Sequence, residues 1–282
     1  MPNNLNTNSL NKDFTLSEYR RLLIALQQAG YRFVPFGDVC RYRLDHPDGI
    51  PLADRYVMLR HDVDLRAENS LCTARIEHSL GIRASYYFRV IPQSNQPDII
   101  RAIAELGHEI GYHYEDMAIA NGNVTEALAH FEKWLAYFRQ FYPVTTICMH
   151  GAPASRYDGR DLWKTKSYRD YGIIGEPYFD IDFNRVFYLT DTGRQWDGYR
   201  VSVRDKVKQQ EEWTRQGRTF HTTGDIIRCL TDGSFKSKLG NAVMITTHPQ
   251  RWTDNTRLWM QEYISQSVKN IVKRLLLWAK GY

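Results

Sequence analysis

Leu59-Arg60-His61-Asp62-Val63-Asp64, arriving directly after the apolar run Tyr56-Val57-Met58, reads as the end of a buried strand. Alternation along a strand puts Asp62 and Asp64 on one face and His61 on the other. Neighbouring carboxylates repel, so they persist side by side only with a cation, a proton or a positive side chain between them. At the end of a strand, where loops open a pocket, a metal ion held by one carboxylate while the other does proton chemistry meets that need. The competing reading is a solvated strand-to-loop turn, where Asp is common. Arg60 has two readings of its own, a salt bridge to a carboxylate or an anchor for an anionic group.

Outward from this stretch the pattern is regular. Downstream it predicts helix over 67–80, strand over 84–90, helix over 97–106 and strand over 109–113. A long helix with Val124, Leu128, Phe131, Leu135 and Phe138 on one face follows, and Pro143 precedes a strand over 145–150. Further strands are expected over 186–189 and 242–247, with a turn at Asp191-Thr192-Gly193, a helix near 225–230 and a last helix over about 255–280. Upstream, Thr15-x-x-Glu18 has the form of a capping box, and Tyr19, Leu22, Leu23 and Leu26 recur at helical spacing until Gly30. Strands alternating with helices imply right-handed βαβ units and a parallel sheet, open or closed into a barrel. His113, His150 and His248 each end a strand, as Asp62 and Asp64 do, and in a barrel the carboxyl ends of strands are where a site is built. With no repeat or linker visible, residues 15–282 are expected to form a single α/β domain and residues 1–14 a poorly ordered start.

The composition is that of an ordinary globular protein of 282 residues with a formal charge of +5, too mild and scattered to argue for nucleic acid. Cys40, Cys72, Cys148 and Cys229 form no CxxC pair and read as buried thiols, which suits a reducing compartment. The polar, Asn-rich opening lacks the apolar core of a signal peptide, and no stretch approaches the roughly 18 apolar residues of a membrane-spanning helix. A cytoplasmic protein is expected.

Leu59-Arg60-His61-Asp62-Val63-Asp64, Gly107-His108-Glu109-Ile110-Gly111-Tyr112-His113 and Ile245-Thr246-Thr247-His248-Pro249 together resemble, in order and spacing, the polysaccharide deacetylase family (carbohydrate esterase family 4), and look closest to a branch associated with surface-polysaccharide biosynthesis. The resemblance implies a distorted (β/α) barrel of about seven parallel strands and a metal-dependent removal of an N-acyl group, most simply acetyl, from a sugar. It implies a divalent metal, Zn²⁺ first, with Asp62 as general base, Asp64 and His113 as metal ligands, and His248 as the acid or oxyanion-stabilising histidine. The substrate would be an N-acylated sugar, a nucleotide sugar or a lipid-linked glycan. Relatives of this fold also open cyclic amides and imides, and a metal-free glycan-binding or assembly subunit is the alternative of another class.

The chain departs from the family's pattern at two points. Where a second histidine would follow His113 stands Met117, a poor ligand for a hard or borderline metal. Glu115 is the expected oxygen substitute, with Asp116 or His150 as alternatives. His150-Gly151-Ala152-Pro153 replaces a motif that carries a base-orienting arginine, so His150 is expected to hold Asp62 or touch substrate. Asp191, over Asp180 or Asp182, is the expected partner of His248. His61 and His108 read as structural, and Tyr86-Tyr87-Phe88 as core. The last helix sets Leu258, Trp259, Ile264, Val268, Ile271, Leu275 and Trp278 beside Arg257, Lys269, Lys273, Arg274 and Lys280. That is a basic amphipathic helix, expected to pack on the barrel, with weak membrane-surface association as the second reading.

Overall fold

Tyr56-Val57-Met58-Leu59 continues into a strand buried on both faces, the signature of a central parallel strand rather than of a half-solvated one. The computed structural model describes residues 12–48, 52–152, 154–196 and 207–279, the side chains only as far as residue 272. Pro153 and the side chains of Lys273, Arg274, Leu275, Trp278 and Lys280 therefore lie outside the described residues, as does most of the 1–14 start. In chain order the elements are α1 (Leu16–Gln28), β1 (Arg32–Phe33), α2 (Phe36–Asp45), β2 (Tyr56–Val63), α3 (Ala67–Ser79), β3 (Ser85–Phe88), α4 (Pro97–Glu105), β4 (Glu109–Tyr114), α5 (Asp116–Ile119), α6 (Val124–Phe138), β5 (Ile147–Met149), α7 (Pro177–Asp180), β6 (Phe187–Thr190), α8 (Gln210–Arg215), α9 (Thr223–Thr231), α10 (Phe235–Lys238), β7 (Ala242–Thr247) and α11 (Thr256–Ala279).

The seven strands form one parallel sheet in the order β5-β4-β3-β2-β7-β6, with β1 added beside β2. One edge of β2 pairs with β7 from Tyr56↔Ala242 to His61↔Thr247. Its other edge is shared, first by β1 (Phe33↔Val57) and then by β3, from Arg60↔Ser85 to Val63↔Phe88. The sheet curls into a half-barrel flanked by helices, a distorted (β/α) barrel that strand pairing does not close among the described residues. Beyond β5 its edge continues only through the bridge Thr146↔Gly175. The carboxyl ends of β2, β4, β5, β6 and β7 are thereby brought to one rim.

Close packing fixes the curl. A Cβ on Gly111 of β4 would stand 2.3 Å from the Tyr87 ring and 2.9 Å from the Thr146 carbonyl oxygen, so only glycine lets β3, β4 and the start of β5 approach this closely. Tyr86, Tyr87 and Phe88 are core, as expected. Thr15 Oγ1 accepts the Glu18 N–H at 3.1 Å, capping α1. The Glu18 carboxylate pairs with Arg21. The full reciprocal capping box lies instead at Thr222 and Asp225, at the head of α9. Phe14 packs against Trp252 with ring centroids 5.0 Å apart. The contact belongs to an aromatic cluster that also takes in Tyr19 and Trp196, with Trp252 and Trp196 following β7 and β6 in the chain.

Helix α11 starts against the barrel. Trp259 Nε1–H donates to the Asp13 carbonyl at 2.7 Å, and Asn270 Nδ2–H to the Gly193 carbonyl at 2.9 Å. Its apolar residues do not form one buried stripe, however. Trp259 faces the barrel, while Ile264, Val268 and Ile271 are more than half exposed.

Candidate metal centre

Because β2 ends at Val63, Asp62 still lies in the sheet and Asp64 is the first residue beyond it. Asp64 Oδ1 is buried and has no hydrogen-bond partner. Around it stand His150 Nε2 at 3.4 Å and His113 Nε2 at 3.7 Å, with His248 Nε2 3.8 Å from Oδ2. Asp64, His113 and His150 each present a ligand atom, all within 4.8 Å of one another. Donors on a tetrahedral ion at about 2.0–2.2 Å lie roughly 3.4 Å apart, so the spacing suits a divalent metal, and the unpaired carboxylate oxygen is the kind of buried atom such an ion satisfies.

Each imidazole is aimed by its other nitrogen. His113 Nδ1 is 2.9 Å from the Cys148 carbonyl, an acceptor only, so Nδ1 carries the proton and Nε2 presents its lone pair. His150 Nδ1 donates in the same way to Glu115 Oε2 at 2.9 Å. Glu115 is in turn gripped by Arg89, whose Nε and Nη2 reach its two oxygens at 2.8 Å each. Burial pushes the His113 imidazole below its ordinary value, which keeps it neutral as a ligand must be. For Asp64, burial pushes the other way, but His150, His248 and His113 more than offset it and the carboxyl stays below its usual range.

Asp62 is differently held. Arg60, two residues back and on the same face, grips it through Nε–Oδ1 at 2.8 Å and Nη2–Oδ2 at 2.6 Å, and both side chains are almost wholly buried. Against burial, Arg60 and then His113 hold this carboxyl well below the usual carboxylate range. Asp62, His113 and Cys148 form a second group with ligand atoms close together. The guanidinium on both Asp62 oxygens places a positive charge where that group would need a cation, so the Asp64 group is the better fit.

His248 closes the rim opposite His150. Its backbone N–H donates to Asp191 Oδ2 at 3.0 Å and its Nδ1 to Asp191 Oδ1 at 2.6 Å. Trp252 Nε1–H donates to Oδ2 at 2.9 Å and Arg251 Nη1 to the Asp191 carbonyl at 2.8 Å. Burial and Arg251 lower the His248 imidazole, but Asp191 and Asp64 outweigh them, and it is raised from its ordinary value. Asp191 itself is lowered to about 2, because Arg251 and His248 outweigh its burial.

On the other face of β2 a separate buried network forms. His61 Nε2 is 2.8 Å from Glu77 Oε1, and Tyr86 Oη–H donates to the same carboxylate at 2.9 Å. Thr247 Oγ1 lies 2.6 Å from His61 Nδ1, tying β7 to β2 one residue before His248. His108 accepts from Ala84 N–H through Nδ1 at 3.2 Å and donates through Nε2 to the Ala74 carbonyl at 3.1 Å. Both histidines are buried and bonded away from the Asp64 group.

Asp62, Asp64, His113, His150, Asp191 and His248 thus meet at one rim. Two expectations are corrected. Glu115 does not reach inward as a ligand: Arg89 and His150 occupy both its oxygens, and His150 supplies the third donor atom. Nor does His150 hold Asp62; Arg60 does, through a buried salt bridge, which is the first of its two readings and not the anchor for an anionic group. Met117, on α5 after the strand has ended, is packed in the core. Sequence reasoning also passed over Arg89, Arg251, Trp252 and Glu77. Arg89 follows β3 in register with β4, a signal visible only once strand pairing is known. Comparison with protein-family models, with curated proteins and with solved structures finds no match for the chain.

Proposed function

We propose that the protein is a metal-dependent hydrolase that removes an N-acetyl or other N-acyl group from a sugar. The observation that carries the reading is the unpaired Asp64 Oδ1 between His113 and His150, with His248 near Oδ2 and Asp62 alongside. Asp64, His113 and His150 would hold a divalent ion, zinc suiting one carboxylate and two imidazoles. Such an ion supplies Lewis acidity, polarising a carbonyl and lowering the pKa of a water from about 15.7 to about 7.

The chain's own groups then divide the proton work. Asp62, kept ionised by Arg60, accepts a proton from the attacking water. The same pairing lowers its basicity. His248 enters protonated, Asp191 favouring the imidazolium, and donates from Nε2 to the departing amine, with Nδ1–H retained on Asp191. Arg251 and Trp252 hold Asp191 so that its lone pairs stay aimed at His248. Glu115, fixed by Arg89, orients His150. No disulfide joins Cys40, Cys72, Cys148 and Cys229, of which Cys72 is exposed and not buried as expected; thiols suit a reducing, cytoplasmic setting, where a nucleotide sugar or lipid-linked glycan precursor is the fitting substrate.

The test is acetate release by zinc-loaded protein from N-acetylated sugars, nucleotide sugars and lipid-linked glycans. The expected result is turnover that falls about 10²–10⁴-fold in Asp62→Asn and in His248→Ala, with metal content retained. No stoichiometric metal after loading, or turnover unaltered in both variants, would overturn the reading; the first outcome would favour a metal-free binding subunit.

A further inference from the structure

Helix α11 carries an apolar stripe that the fold does not use. Met260, Ile264, Val268, Ile271 and Val272 recur at helical spacing and are 45–57% exposed, whereas Gln266, on the opposite side, is buried. A row of large aliphatic side chains left in water along one helix marks a surface made for a partner. Charge identifies the partner. Over residues 255–282 the sequence sets Arg257, Lys269, Lys273, Arg274 and Lys280 against the single acid Glu262, a net charge of +4. Arg257 and Lys269 are exposed next to the stripe.

We propose that α11 lies in the interface of an anionic lipid surface, its exposed aliphatic stripe among the acyl chains and its basic residues against the headgroups. No described helix is long and apolar enough to cross a membrane, so the helix would rest on the surface and not span it. Pairing with α11 of a second copy would bring like-charged segments together, whereas acidic headgroups neutralise them. The placement also has a consequence for the site. α11 packs against the short turns Thr192–Arg194 and Pro249–Arg251, which follow β6 and β7 at the rim that holds Asp191 and His248. Leu65, directly after Asp64, and Ile119, at the end of α5 beyond β4, are exposed on the connections that leave the same end of the sheet. α11 is therefore seated on the two turns that lead away from Asp191 and His248.

The experiment is cosedimentation of the full chain with vesicles of phosphatidylcholine alone and of an equal mixture of phosphatidylcholine and phosphatidylglycerol. Binding to the mixed vesicles only, weakening with added salt, is expected. Ile264→Asp with Ile271→Asp should lose about tenfold or more of that binding, and Lys269→Glu about fivefold or more. These positions are exposed, so circular dichroism and metal content should match the wild type. Protein that stays in the supernatant with both vesicles overturns the proposal, as does binding that the paired substitutions leave intact. A lipid-free dimer that the same substitutions dissociate would overturn it in favour of self-association. None of these readouts involves turnover, so this inference and the hydrolase reading stand or fall separately.

Discussion

Replacing Arg60 by methionine removes the group that makes a buried carboxylate tolerable at the centre of the sheet. Arg60 and Asp62 are 1% and 2% exposed and joined by two hydrogen bonds, of 2.8 and 2.6 Å. Breaking a buried pair by deleting one partner costs about 3–5 kcal/mol, a large share of the roughly 5–15 kcal/mol that holds an ordinary domain together. The cost should depend on pH, and the sign follows from the direction of the shift. In the wild type the Asp62 carboxyl is held below its unfolded value of about 3.9. Its contribution is fully present above that value and is lost only as pH falls through the lower, folded pKa. Without Arg60, burial dominates and the folded pKa moves above the unfolded one. Stability is then retained in acid and lost as pH rises through the new folded value, by up to about 1.4 kcal/mol per pH unit. Urea unfolding of metal-free protein between about pH 5 and pH 8 should show the Arg60→Met deficit growing with pH. Adding Asp62→Asn should restore part of the loss by removing the unpaired charge. A deficit below about 1 kcal/mol, or one indifferent to pH and to Asp62→Asn, would refute the account of the pair as mutually dependent.

Glu115→Gln should weaken zinc affinity about 10–100-fold by loosening His150, and Arg89→Met should weaken it too; a direct Glu115 ligand would instead leave binding insensitive to Arg89, as read by competition with a chromogenic chelator. Asp191→Asn should move the basic limb of the pH–rate profile to lower pH. Asp191 raises His248 against burial and Arg251, so its neutralisation lets the acid lose its proton earlier; an unmoved limb would remove His248 from that role. Gly111→Ala should cost about 1–3 kcal/mol, because the added methyl meets the Tyr87 ring and the Thr146 carbonyl; a melting temperature equal to the wild type would show that β3, β4 and the start of β5 are less tightly apposed than described.

Much of the site was legible along the chain because a strand has a period of two and a parallel sheet aligns strand ends. The period puts Arg60 and Asp62 on one face and His61 on the other whatever the fold around them. Strand-end positions in a βαβ pattern bring His113 and His248 to one rim without knowledge of their distances. What the chain could not decide was which of several equally spaced polar groups turns inward. Glu115 and His150 both follow strands, and only the β4–β5 register, with Arg89 arriving from the end of β3, determines that one carries a donor atom and the other holds it. Asp191 was preferred over Asp180 and Asp182 only because it ends a readable strand; the pairing of Thr190 with Thr246 is what sets it beside His248. The amphipathic reading of α11 was likewise local, but which apolar side chains meet the barrel and which meet solvent depends on how the helix is rolled onto its neighbours. Periodicity is a property of the covalent chain and its backbone; the choice among side chains that share it belongs to register and packing, which exist only when distant segments meet.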